Sequence, residues 1–249
     1  MTRITHAIFD LDGTLLDTEP IYLEVTAELL ARHGRELDPE VRARMMGTPS
    51  RDAVLLLAQV LGDAAPFEAF NEERQARLLE RFAAVDAMPG AVALTSHLHR
   101  HGVPLAVATS STRDNVEVKT SRHGGWFAAF EAVVTGDDVE HGKPAPDIFL
   151  RAADRLGAPP ASCLVFEDSP LGVEAALAAG MHVVAVPEAP YRDRVRDAHL
   201  VLDTLEAFDP TAWGLPAMPA LPLWGGGLRP GVNLDDSAGL LELMEEDER

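Results

Sequence analysis

Ile4-Thr5-His6-Ala7-Ile8-Phe9-Asp10-Leu11-Asp12-Gly13-Thr14-Leu15 decides how the rest of the chain reads. A short apolar run rich in strand formers ends directly on two carboxylates one residue apart. Carboxylates this close repel unless a cation lies between them, so the pair already points to a metal. Gly13 permits a tight turn, and Thr14 offers a hydroxyl. One aspartate can attack phosphorus while the next but one protonates the leaving group and later deprotonates water. Covalent phosphoryl transfer needs that division of labour. The competing reading is a calcium loop, which also begins Asp-x-Asp-Gly. Such a loop needs an acidic ligand at its twelfth position, and counting from Asp10 that residue is Ile21.

Working outward, further apolar runs read as buried parallel strands: 104–108, 132–134, 163–166 and 182–186, with 199–202 as a sixth. Helix-period segments at about 91–101, 112–122, 146–156 and 170–179 alternate with them, and Gly102, Gly157 and Gly180 fall where helices should stop. The expected fold is therefore α/β, a Rossmann-like doubly wound parallel sheet with helices on both faces. After the first strand, residues 17–88 carry only helical patterning, in 21–31, 53–61 and 67–85. That is far longer than an ordinary crossover, so an inserted all-α cap is expected, hinged near 16–19 and 87–90. The core would be 1–16 and 89–219. Residues 220–249, rich in Pro, Gly and then acidic residues, read as an acidic, flexible tail.

Three later segments fall where the same crevice needs them. Val107-Ala108-Thr109-Ser110-Ser111 ends the second core strand in hydroxyls that suit a phosphate at a helix start, although Ser and Thr also cap helices generally. Gly142-Lys143-Pro144-Ala145-Pro146 holds one lysine in a proline-restrained loop. Phe166-Glu167-Asp168-Ser169 ends the fourth strand with a second acidic pair, which could equally serve as a helix cap. Ligands of open α/β sheets bind outside the carboxyl ends of the strands, and all four sets lie on that rim. Magnesium, which favours oxygen ligands and shares phosphate oxygens, matches the set, and Lys143 can offset charge on Asp10 and a transferring phosphoryl group.

The formal charge of −19 argues against binding to nucleic acid, and no Lys/Arg cluster offsets it. Cys163 is the single cysteine, so no intramolecular disulfide forms. No apolar run approaches the roughly 20 residues that span a bilayer. A core strand starting at Ile4 leaves no room for a signal peptide, so a cytoplasmic protein with no membrane partner is expected, and a monomer.

These motifs resemble, in order, all four signatures of the haloacid dehalogenase superfamily. The resemblance implies Asp10 as nucleophile, Asp12 as acid/base, Thr109 as the phosphate-binding hydroxyl and Lys143 as the motif lysine. It implies Mg2+ as cofactor, held by Asp10, Asp168 and the backbone carbonyl of Asp12, with Glu167 in the acidic metal motif. The insert resembles the small helical cap of the first subfamily. Lys119-Thr120-Ser121-Arg122-His123, His141-Gly142-Lys143-Pro144 and the run from Cys163 to Met181 are similar to pseudouridine-5'-phosphatase and its relatives, which include phosphatases of glycerol 3-phosphate. The resemblance implies an aspartyl-phosphate phosphatase of a small phosphorylated metabolite. A phosphosugar mutase of the beta-phosphoglucomutase type is the alternative, and an inactive phospho-ligand sensor or partner-binding protein the non-enzymatic one.

Around the site, Ser110 and Ser111 are expected at the substrate phosphate, and Glu19 and Arg51 at the rest of the substrate. Glu19 has helix N-terminal charge as its plainer reading, and Arg51 a surface charge. Lys119, Arg122 and His123 have no physical role legible in the sequence. His97 and His101 share a helix face without a carboxylate beside them and read as a solvated helix end.

Overall fold

In the computed structural model, residues 3–45 and 50–218 are described, apart from the side chains of 43, 44 and 50–53. Two short antiparallel strands, Leu223–Trp224 and Gly227–Leu228, follow. The remainder of the 220–249 segment lies outside the described residues.

Six parallel strands form one sheet: β1 (His6–Phe9), β2 (Leu105–Ala108), β3 (Ala132–Val134), β4 (Cys163–Glu167), β5 (His182–Ala185) and β6 (Leu200–Val201). Their spatial order is β3-β2-β1-β4-β5-β6, so the chain builds outward from β1 on one side and then returns to β1's other edge. That reversal opens a crevice above the carboxyl end of β1. Register sets the row: Phe9 stands opposite both Val107 and Phe166, which brings Asp10, Ala108 and Glu167 to one level just beyond.

The strands are apolar throughout because both faces are covered. Phe9, Val107 and Phe166 enter one buried cluster with Leu94 and Leu98 of α5 (Ala91–Arg100). Ile8, Ala106 and Val165 point the other way into a second cluster. Between β1 and α5 come four helices: α1 (Glu19–Arg32), α2 (Pro39–Met45), α3 (Ser50–Leu61) and α4 (Phe67–Phe82). They bury a core of their own, including Val25, Leu29, Leu57, Phe70, Leu78 and Phe82. Chain entering and leaving this insert runs side by side, with Asp17 N–H donating to Asp86 O at 2.9 Å and Met88 N–H to Leu15 O at 2.9 Å.

The core continues with α6 (Arg113–Thr120), α7 (Gly124–Phe127), α8 (Asp147–Arg155) and α9 (Pro170–Ala178). Two helices lack a sequence signal. Arginines interrupt any apolar period in α2, and α7 is one turn opening on two glycines. One reading is corrected in part: His97 is buried, with Nε2 3.2 Å from Pro216 O, while His101 at the same helix end is exposed as expected.

Candidate active site

The turn after β1 fixes the first carboxylates. Gly13 sits at φ +77°, and a Cβ there would stand 2.5 Å from Asp168 Oδ2. Only glycine lets the β1 loop and the end of β4 approach this closely. Asp10 is buried and accepts from Lys143 Nζ at 2.5 Å, and the same ammonium donates to Glu167 Oε1 at 2.5 Å. Burial pushes the Asp10 carboxyl up to about 7; Lys143 opposes this, and the charges of Glu167 and Asp12 add to it. Burial would lower Lys143, but Asp10 and Glu167 hold it well above its ordinary value, so it stays an ammonium.

Glu167, expected in the acidic metal motif, has both carboxylate oxygens engaged by protein donors. Its Oε1 is taken by Lys143, and its Oε2 accepts from Ser169 N–H at 2.8 Å and Ser169 Oγ at 3.0 Å. A Cβ on Gly172 would meet Oε1 at 1.7 Å, so α9 also closes against it. Through Oε1, Glu167 is the second buried partner of Lys143. Asp168 does line the cavity, raised well above the ordinary carboxylate range by burial and then by Glu167, Asp10 and Glu19. Ser169 caps α9, accepting from Gly172 N–H at 3.1 Å.

Asp12 has a different surrounding. Its Oδ1 accepts from Lys119 Nζ at 2.5 Å and Thr18 Oγ1 at 2.7 Å, and its Oδ2 from Ser111 Oγ at 2.8 Å and Thr109 Oγ1 at 3.4 Å. Burial alone would raise Asp12, yet the Lys119 charge and these bonds hold it below the usual carboxylate range.

Lys119, which had no role legible in the sequence, is built into the site. It is fully buried, donates also to Ser111 Oγ at 2.8 Å and Tyr22 Oη at 3.0 Å, and lies 4.5 Å from the Phe82 ring centroid. Tyr22 and Phe82 belong to the insert, so this one ammonium touches both the insert and Asp12. A signal existed: Val116 and Lys119 share the buried face of an otherwise polar helix. Arg122 and His123 hold the insert's return segment, Arg122 Nη1 donating to Ala84 O at 2.6 Å and His123 Nε2 lying 2.8 Å from Val85 O.

Asp10, Asp12, Thr109, Ser111, Lys143 and Asp168 face a cavity of about 430 Å³ between sheet edge and insert, also lined by Ser110 and Glu19. Burial, and then the Asp12 charge, push Glu19 up to about 7. Arg51 lies on α3, but its side chain is outside the described residues. Cys163 is buried with its thiol raised to about 11 by desolvation, which leaves it packing and not nucleophilic. At the sheet edge four carboxylates, Asp10, Asp12, Glu167 and Asp168, face two ammonium groups, Lys119 and Lys143. The site is short of positive charge.

The description of the haloacid dehalogenase-like hydrolases matches residues 4–180. The chain belongs to that family. Among curated relatives of this hydrolase, (DL)-glycerol-3-phosphatase 1, mitochondrial, of Arabidopsis thaliana is 43% identical over 86% of this chain and 74% of its own length. A probable pseudouridine-5'-phosphatase of Drosophila melanogaster is 40% identical over 87% of this chain and 96% of its own. Among solved structures, a HAD family hydrolase from Deinococcus radiodurans, with bound phosphate and sodium, superposes with a TM-score of 0.72 at 31% identity. That likeness covers 88% of this hydrolase and all of the other chain. No helix among the described residues is long and apolar enough to cross a membrane.

Proposed function

We propose that this hydrolase is a magnesium-dependent phosphomonoesterase that passes the phosphoryl group of a small phosphorylated metabolite to Asp10 and then to water. The observation that carries the reading is the pair of unlike aspartates in one cavity. Lys143 holds one oxygen of Asp10, while four donors surround Asp12. Asp10 is thus free to attack through its second oxygen, and Asp12 is fixed for proton transfer.

The donor set fits a divalent cation. Asp10 and Asp168 are carboxylates raised first by burial and then by the like charges around them, and with the Asp12 carbonyl they would offer the all-oxygen ligation magnesium prefers. When bound, the ion would neutralise charge on Asp10 and on the phosphoryl oxygens. Lys143 keeps Asp10 oriented and balances the charge that develops on the phosphoryl group, with Thr109 and Ser110 at its oxygens. The donors around Asp12 favour its carboxylate, which makes its protonated form a stronger acid toward the leaving oxygen. As the carboxylate it then accepts a proton from the attacking water. The insert acts as a cap, closing the cavity from bulk water. By its relatives, the substrate is pseudouridine 5'-phosphate or a related nucleotide, sugar or polyol phosphate.

Phosphate release across nucleotide, sugar, polyol and flavin monophosphates tests this reading. Release with magnesium and its loss on chelation are expected. A purified, folded protein that hydrolyses none of them would sink it.

Lys119→Met is expected to lower kcat for an alkyl phosphate about ten- to a hundredfold, with KM little changed, because Asp12 loses its fixed orientation. Para-nitrophenyl phosphate, whose leaving group needs no proton, should lose far less. Equal loss on both would make Lys119 merely structural.

A further inference from the structure

Three arginines of α4 are arranged against the expectation for stability. Arg77 pairs with Glu73 and Glu28, and Arg81 with Glu24 and Glu28, all at the exposed surface where such pairs contribute little. Arg74 is the buried one, 6% exposed, and no carboxylate among the described residues lies within ion-pair distance of it. Its Nε donates to Thr26 Oγ1 at 2.8 Å, and its guanidinium carbon stands 5.8 Å from the Tyr22 ring centroid. Five N–H groups are available on a guanidinium that stays charged, and Thr26 takes one. A desolvated cation without an anion is costly to keep. Arg74 lines the same cavity as Asp10, on the insert's side, as do Gln75 and the apolar Leu23 and Leu79.

We propose that Arg74 is the residue that recognises the end of the substrate remote from the scissile phosphate, and that it selects phosphate monoesters whose far end carries acceptor oxygens. The phosphate sits at the core carboxylates and lysine. The body of the substrate lies against the apolar wall, and its head supplies the acceptors that Arg74 lacks. Two sources offer this chemistry: the carbonyl oxygens of a planar ring, or a carboxylate or second phosphate. A plain alkyl or aryl phosphate offers neither. This inference rests on the phosphatase reading of the cavity.

Arg74→Met keeps the length of the side chain and removes its charge. Comparing it with the wild type on uridine 5'-monophosphate, a sugar bisphosphate and phenyl phosphate tests the assignment. For at least one of the first two, kcat/KM should fall about ten- to a hundredfold, mainly through KM, and the one that falls identifies the head. Phenyl phosphate should stay within about twofold, and the melting temperature should hold or rise. An equal loss on all three, or no loss on any, overturns the proposal. Calorimetric titration of the same two acceptor-bearing esters into Asp10→Asn, with and without Arg74→Met, separates it from the phosphatase reading. If the wild type hydrolyses nothing, that reading fails. Arg74 is still overturned if its loss leaves affinity unchanged or if neither ester binds.

Discussion

Replacing Asp10 with asparagine is expected to lower phosphate release by at least about four orders of magnitude while leaving the protein folded. The amide keeps the volume of the carboxylate and can still accept from Lys143 through its carbonyl oxygen, so the β1 turn has no reason to move. It lacks the nucleophilic oxygen, and no other group at the site replaces it. Asp12 is bound by four donors, Glu167 has both oxygens engaged, Asp168 would be taken up by the magnesium, and Cys163 is a buried, protonated thiol. Circular dichroism should match the wild type, and kcat should collapse on every substrate. Retained turnover in a folded Asp10→Asn protein would remove Asp10 from the reaction.

Lys143→Met should be the most damaging single change to activity and stability together. The ammonium is the shared partner of Asp10 and Glu167 inside a desolvated pocket. Breaking a buried pair by deleting one partner typically costs about 3–5 kcal/mol, because the remaining charge is stranded. The sign of its pH dependence follows. Without Lys143 the Asp10 carboxyl, already raised by burial, titrates higher still in the folded protein than in the unfolded chain. The deficit is therefore smallest below about pH 4, where both states are protonated, and grows as pH rises toward neutrality. Urea unfolding in a chelator at pH 5 and pH 8 should show the larger loss at pH 8. A deficit that shrinks with rising pH would mean that Lys143 does not compensate this acid. Turnover should fall at least about a thousandfold, since both Asp10 and the phosphoryl group lose their nearby cation.

Much of this architecture is local and therefore readable. A strand buried on both faces must be apolar along its whole length, so β1 to β5 stand out as runs such as Leu105–Ala108 and Cys163–Glu167. Carboxylates that end such runs lie on the ligand rim by topology alone, which placed Asp10, Asp12 and Asp168 beside Lys143 before any side-chain contact was known. Contacts fixed by packing between distant segments were not readable. Glu167 and Asp168 are neighbours in sequence, but the closing of α9 at Gly172 and the position of Lys143 engage one and leave the other facing the cavity. Lys119 had no legible role until the depth of α6 under the insert put it on Asp12. Arg74 lies in a helix with two other arginines, and its spacing of four from Phe70 and Leu78 puts it alone of the three on the buried face, a signal that the sequence reading did not use. The helix α2, too short and too basic for a clear period, went unread.

The central claim is a covalent phosphoryl-aspartate at position 10, and trapping it is the most direct measurement. The protein is mixed with a turned-over phosphate monoester and magnesium, quenched in acid within the steady state, and reduced with borohydride. An acyl phosphate is reduced to the alcohol, so Asp10 should become homoserine in the peptide spanning β1. Omitting the monoester or using Asp10→Asn should give no conversion. Turnover with an unmodified Asp10 peptide, under conditions that convert an authentic acyl phosphate, or conversion at another carboxylate, would contradict the account.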